Sequence, residues 1–290
     1  MAMNIDSYGL ITTSNKRFPH DGGDTLSNEG FYRAGLKFLN QHTTHLDILD
    51  YPEFRALLRR DDGLWIRHPD NKPGDTWSWN DPKESGRDQL DPLIIYLGEE
   101  AHCGGPYSQV AKADLDELWK DMWKRGWFYQ NKDWGGAYIS IWIRAKRIKW
   151  LKWLLPLTDW ALYIDAWSIC KAKIWDHDLP GLWKFRARKT DDVDDKVSVA
   201  RLMQAWHVWP TSRSQKAVRF YIDNRPKNDW GSRFWNYRLG RNLECLGALF
   251  GYFREESGNN PEIGELWIYL EWNWFTKFYP IIDNKYSKPL

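Results

Sequence analysis

Apolar residues recur along this chain at helical spacing, and they do so in ten separate stretches. The first begins near Ser27, a capping residue ahead of Phe31, Ala34, Leu36, Phe38 and Leu39. A short second helix is predicted over Tyr51 to Arg60, with Pro52 in its first turn and Phe54, Leu57 and Leu58 on one face. Leu90, Leu93, Ile94 and Leu97 define a third from Asp88 to His102, with Pro92 in its first turn and Gly104-Gly105-Pro106 as its stop. Leu115, Leu118, Trp119, Met122 and Trp123 define a fourth from Asp114 to Gly126. Two long apolar helices follow, Ala137 to Trp153 and Leu157 to Trp175, separated at Pro156. Trp153, Trp160 and Trp167 recur every seven residues and so share a face, which reads as a packed helix–helix seam. Val193 to Trp209 is stopped by Pro210, and Ser212 to Tyr221, Asn242 to Phe253 and Ile263 to Phe275 complete the series.

No stretch alternates apolar and polar residues convincingly over the length of a strand. The pattern predicts an all-α chain, with residues 1–290 forming a single helical domain. Helices joined by short turns suit hairpins arranged as an α/α toroid or partial toroid. The main interruption is a Trp-, Pro- and Gly-rich loop over about residues 61–87, and long ordered loops tend to carry function.

Charge narrows the list of partners. With 41 basic and 39 acidic residues the net charge is +2, so no global field selects nucleic acid, and none is expected as a partner. Cys103, Cys170 and Cys245 are far apart, odd in number and outside any CxxC pattern, which argues against a disulfide framework and a cysteine-ligated zinc site. The first residues carry no apolar run behind a basic start, so no signal peptide is expected and the location is read as cytoplasmic or virion-associated. The most apolar stretch, Trp153 to Cys170, has the length of a minimal membrane span but contains Pro156, Asp159 and Asp165, and it reads as a buried core helix. The segment before it, Arg144 to Trp153, sets basic residues beside tryptophans in the manner of an interfacial anchor, which keeps membrane contact as a lesser reading. Twenty-one tryptophans exceed what a core of this size requires, so several are expected at a surface, in a groove or at an interface.

Candidate chemistry falls in three polar turns, each at a predicted helix start. In His20-Asp21-Gly22-Gly23-Asp24, Asp21 and Asp24 are placed to act as general acid or base, although capping acids in an Asp-Gly turn explain the same residues. Ser85-Gly86-Arg87-Asp88-Gln89 follows the loop holding Trp65, Trp77 and Trp79. There Asp88 held by Arg87 suits a base or nucleophile, Gln89 offers a substrate contact and the three indoles offer stacking platforms; a structural Arg–Asp pair is the plainer account. Asp191, Asp192, Asp194 and Asp195 surround Val193, where a helix dipole favours acids. The same four are the candidate ligands for a hard divalent cation such as calcium or magnesium, though their spacing is not that of an EF-hand, and no other cofactor is expected. Trp175-Asp176-His177-Asp178 lacks a second nitrogen or sulfur ligand and reads as a loop. The absence of P-loop, GxGxxG, GxSxG and HExxH patterns disfavours the corresponding nucleotide, redox, serine-hydrolase and zinc-protease chemistries.

Taken together, the D-x-x-D turn at Asp21 to Asp24, the R-D-Q-x-x-P helix start within Gly86 to Pro92, the aspartate run Asp191 to Asp195 and the Pro210-Thr211 turn resemble a group of proteins encoded in phage and bacterial genomes. The resemblance implies an all-helical domain and a phage origin, and it implies no activity. At the level of fold the pattern is similar to α/α toroid glycosidases and lyases, which place acids and sugar-stacking aromatics on helix-start loops around a cleft. That similarity implies a glycan-active or glycan-binding protein, a glycoside hydrolase or lyase, with Asp21, Asp24, Arg87 and Asp88 as its catalytic set. The alternative is a non-catalytic structural or interaction protein, such as a component of a phage particle, whose extra tryptophans make protein contacts.

Overall fold

Local capping chemistry sets several of the helix ends in the computed structural model, which describes residues 6–11, 25–39, 49–70, 87–124, 126–127, 139–162, 166 and 193–228. These form α1 (Thr25–Leu39), α2 (Tyr51–Leu58), α3 (Arg87–His102), α4 (Ser108–Lys124) and α5 (Ile139–Ala145). A 3₁₀ helix (Lys149–Leu154) runs into α6 (Leu155–Thr158), and α7 (Val193–His207) and α8 (Ser212–Asn228) follow. No extended strand occurs among the described residues, and this part of the chain is all-helical. The predicted helices at 242–253 and 263–275 lie outside the described residues.

A full capping box starts α2: Asp50 Oδ1 accepts from the Glu53 N–H at 3.0 Å while Glu53 Oε2 accepts from the Asp50 N–H at 3.1 Å. Beyond α2 the chain reverses through Asp61-Asp62-Gly63, where Gly63 has φ +85°, and Ile66 N–H bonds back to Leu58 O at 2.8 Å. That reversal carries Trp65 under α2, where its ring lies 5.5 Å from that of Phe54.

Helix α3 is central and packs against α1, α4, α5 and α7. Two glycines set its closest approaches. A Cβ on Gly30 of α1 would lie 2.6 Å from Leu93 N, and one on Gly98 of α3 would lie 2.6 Å from Ala145 Cα. Neither crossing could form at that distance with a larger residue. Around them Leu93, Ile94, Leu97, Leu115, Leu118 and Ile141 fill the core.

Several predicted spans change. Helix α4 starts six residues earlier than Asp114, at Ser108, and α8 continues past Tyr221 to Asn228. Pro92 falls in the second turn of α3, because that helix begins at Arg87. The predicted long helix over 137–153 ends instead at Ala145. There Arg147 adopts φ +51° and Ile148 N–H bonds to Ile143 O at 3.0 Å, the closure of a Schellman motif with arginine where glycine is usual. The chain then continues as the 3₁₀ helix, and the predicted tryptophan seam is not packed: Trp153 and Trp160 are exposed, while Trp167 lies outside the described residues. No helix of the described residues is long and apolar enough to cross a membrane.

Candidate functional site

Three helices run side by side in the same direction. The Ser27 N–H of α1 donates to Gln89 Oε1 of α3 at 3.1 Å, Gly30 abuts Leu93, and Lys37 Nζ pairs with Glu100 at 2.7 Å. The sequence offset is 62 or 63 at each of these contacts, so α1 and α3 are parallel and in register. Helix α7 packs on both. Its Arg201 pairs with Asp91 near the start of α3, and six residues later His207 stacks on Phe38 near the end of α1, with centroids 5.0 Å apart. Helix α7 therefore shares the direction of the other two, and α1, α3 and α7 all begin at one end of the bundle.

Those beginnings are where the sequence reading placed its three acidic turns. Asp24 is peptide-bonded to Thr25, the first residue of α1. Arg87 and Asp88 open α3, Asp192 is bonded to Val193, and Asp194 and Asp195 lie in the first turn of α7. Asp21, Asp24, Asp191 and Asp192 themselves lie outside the described residues, as do Trp77 and Trp79.

Beneath the three starts is a floor of buried polar side chains. Thr25, Ser27, Asn28 and Glu29 come from α1, Gln89 and Asp91 from α3, and Arg201 reaches Asp91 from α7; each is almost completely removed from solvent. A carboxylate or guanidinium is rarely buried without a partner. Here Glu29 Oε2 accepts from Arg33 Nε at 2.6 Å and its Oε1 from the Ile11 N–H at 2.8 Å. Arg33 donates onward to Leu49 O at 2.9 Å and lies over the Phe54 ring at 4.5 Å. Desolvation works against the charged form of Arg33, and Glu29 and Tyr96 beside it together outweigh that penalty, leaving the guanidinium more strongly protonated than usual. The floor is thus a set of fixed dipoles and paired charges below the helix starts. The Thr25 and Ser27 hydroxyls are buried and find no hydrogen-bond partner among the described residues.

Two expected substrate contacts are buried side chains. Trp65 is 1% exposed and presents no face to a sugar. Gln89 spends its amide oxygen on α1, supplying a cap for the Ser27 N–H across the helix pair. Among the described residues no group of three His, Cys, Asp or Glu is arranged to hold a metal ion.

Sequence reasoning passed over one histidine constellation. His68 Nε2 lies 2.6 Å from Asp6 Oδ2, its Nδ1 accepts from the Asp70 N–H at 3.1 Å, and Tyr8 OH donates to Asp70 Oδ1 at 2.6 Å. An Asp–His pair is the usual start of a base, but here both ring nitrogens are engaged and the side chain is buried. The cluster ties residues 6–11 to the segment after Trp65 and leaves no nitrogen for a substrate.

Two groups of tryptophans stand out among the described residues. Trp119, Trp127 and Trp142 pack edge to face, with centroids 4.8–6.2 Å apart, and Trp123 joins them while remaining exposed. Trp150, Trp153 and Trp160 project from the segment after α5. Comparison of the chain with family models, with curated proteins and with solved structures finds no match.

Proposed function

We propose that this protein is glycan-directed, a glycoside hydrolase or lyase whose site lies where α1, α3 and α7 begin. The carrying observation is the parallel packing of these three helices, which starts the segments bearing Asp24, Asp88 and Asp194–Asp195 from one end of the bundle. Cleavage of a glycosidic bond needs two carboxylates at its opposite sides, and helices sharing a common end can supply them from different parts of the chain. Asp24 and Asp88 are assigned as that pair, with Arg87 as the orienter of Asp88 and Asp21 as a further acid on the first turn. Trp77 and Trp79, in the stretch leading into α3, are assigned as the stacking faces for a pyranose, and Trp65 is not.

Two further features support the assignment. Parallel inner helices are the relation expected of an α/α toroid, which belongs to this proposal. The buried floor also holds the helix starts in fixed positions, as a site needing carboxylates at set separation requires. The aspartates at 191, 192, 194 and 195 are assigned to the rim, where a divalent cation would bind if the enzyme uses one.

The test is a screen of polysaccharides and peptidoglycan for binding and cleavage, run on the intact protein, Asp24→Asn and Asp88→Asn. Cleavage by the intact protein that falls by a factor of about 100 or more in either variant is expected, the scale on which acid–base groups act. An intact protein that neither binds nor cuts any glycan refutes the reading, and equal cleavage by all three proteins removes the two carboxylates from the mechanism.

A further inference from the structure

The 3₁₀ helix, α6 and Trp160 together present a run of exposed large apolar side chains. Trp150 is 75% exposed, Trp153 67%, Leu157 61% and Trp160 52%, and no residue of the 3₁₀ helix is buried. A 3₁₀ helix has three residues per turn, so Trp150 and Trp153 eclipse each other on one side while Lys149 and Lys152 form the adjoining row. Arg213 of α8 adds its guanidinium, 5.0 Å over the Trp160 ring.

Charge on this surface is one-sided. The only carboxylate from Lys146 to Leu162 is Asp159, which is buried against Arg144, and none occurs from Trp209 to Phe220. Lys146 and Arg147 are committed to Asp116 and Glu99, whereas Lys149, Lys152, which lies over the Trp209 ring at 5.5 Å, and Arg213, which donates to Pro156 O, have no carboxylate partner among the described residues.

From this geometry we infer a docking surface for an anionic phospholipid bilayer, a role independent of any glycan site. The charge selects an anionic occupant, and the exposed leucine and tryptophans select one with an apolar interior below its charged face. Single-stranded nucleic acid would also meet cations and indoles, but it needs a groove in which bases are sandwiched. A tryptophan three-quarters exposed projects from the surface, and Leu157 offers no π face for a base to stack on. Insertion of Trp150, Trp153 and Leu157 to headgroup depth leaves Lys149 and Lys152 at the level of the lipid phosphates.

Flotation of the full chain with phosphatidylcholine vesicles, with and without phosphatidylserine, tests the assignment. Binding is expected only with phosphatidylserine. It should weaken roughly 25-fold in Lys149→Ala/Lys152→Ala, about fivefold per charge, and at least about a hundredfold in Trp150→Ala/Trp153→Ala. The altered side chains are exposed, so circular dichroism and melting should match the parent protein. No flotation of the intact protein, equal flotation on both lipids or equal flotation of the tryptophan variant overturns the inference. So does the absence of flotation together with a dimer, or single-stranded DNA binding, that the tryptophan variant abolishes.

Discussion

Removing Asp159 should destabilise the described structure strongly, because its partner cannot shed its charge. Arg144 and Asp159 form a two-pronged pair at 2.8 Å per bond, and both side chains are at most 1% exposed. Arg144 also donates to Val208 O at 2.7 Å and Trp209 O at 3.3 Å, while Asp159 Oδ2 accepts from Thr211 Oγ1 at 2.5 Å. One pair therefore joins α5, the segment after α6, the end of α7 and the turn into α8. Deleting one member of such a pair costs about 3–5 kcal/mol, since the other is left charged in a low-dielectric site. For a chain of this size that corresponds to a fall in Tm of roughly 6–15 °C. Asp159→Ala should show the full loss at every pH, because arginine stays protonated. Arg144→Met should recover stability on acidification, because a stranded carboxyl can neutralise itself by taking up a proton. The double variant Arg144→Met/Asp159→Leu should be less destabilised than Asp159→Ala alone. Thermal melts of the four proteins between pH 4.5 and 8 measure these differences. Single variants that lose less than about 1 kcal/mol, the scale of an exposed pair, would refute the reasoning, as would a double variant less stable than Asp159→Ala.

Two further outcomes follow from packing and from burial. Gly30→Ala should destabilise by about 1–3 kcal/mol or more in denaturant titrations, since its methyl group would meet the backbone of Pro92 and Leu93 at 2.6–2.7 Å and force α1 from α3; a neutral result would deny the close parallel crossing. Glu99 is held above its ordinary value of 4.5, chiefly by burial, with Arg147 acting in the opposite sense. The native state thus binds this proton more tightly than the unfolded chain, so the contribution is largest below 4.5 and is lost as pH rises through the native value. Glu99→Gln should flatten the stability profile over that window in a series of melts, and an unchanged slope would count against it.

How much could be read from the sequence depended on whether the controlling interaction was local. The α2 start was legible because Pro52 marks its first turn, and the Asp50–Glu53 capping box found around it is equally local. The ends of α3 and α4 were legible because Gly104 and Gly126 take the positive φ that glycine tolerates. The end of α5 was not, because Arg147 adopts that conformation without any glycine to announce it. Trp65 was misplaced for a related reason. The Asp61-Asp62-Gly63 turn was available as a chain reversal that returns the following residue to the core, but the aromatic content of the surrounding loop suggested a binding surface. The stripe of Trp153 and Trp160 reads as buried seam by period alone; period reports a shared face and is silent on which side that face points.

The gathering of α1, α3 and α7 could not have been read from any one of them, since it rests on pairs more than sixty positions apart: Ser27 with Gln89, Asp91 with Arg201. These contacts also bear on why so much polarity is buried there. A scaffold selected for stability alone gains more from well-packed apolar residues than from a buried ion pair, which at best offsets its own desolvation. The Ser27–Gln89 hydrogen bond joins α1 to α3 and the Asp91–Arg201 pair joins α3 to α7, and they fix the axial register of three helices as directional contacts can and hydrophobic contacts do not. Register along the axis determines the separation of the aspartates that precede or open those helices. The same polar contacts that add little to stability are therefore the ones a carboxylate site at that end would require.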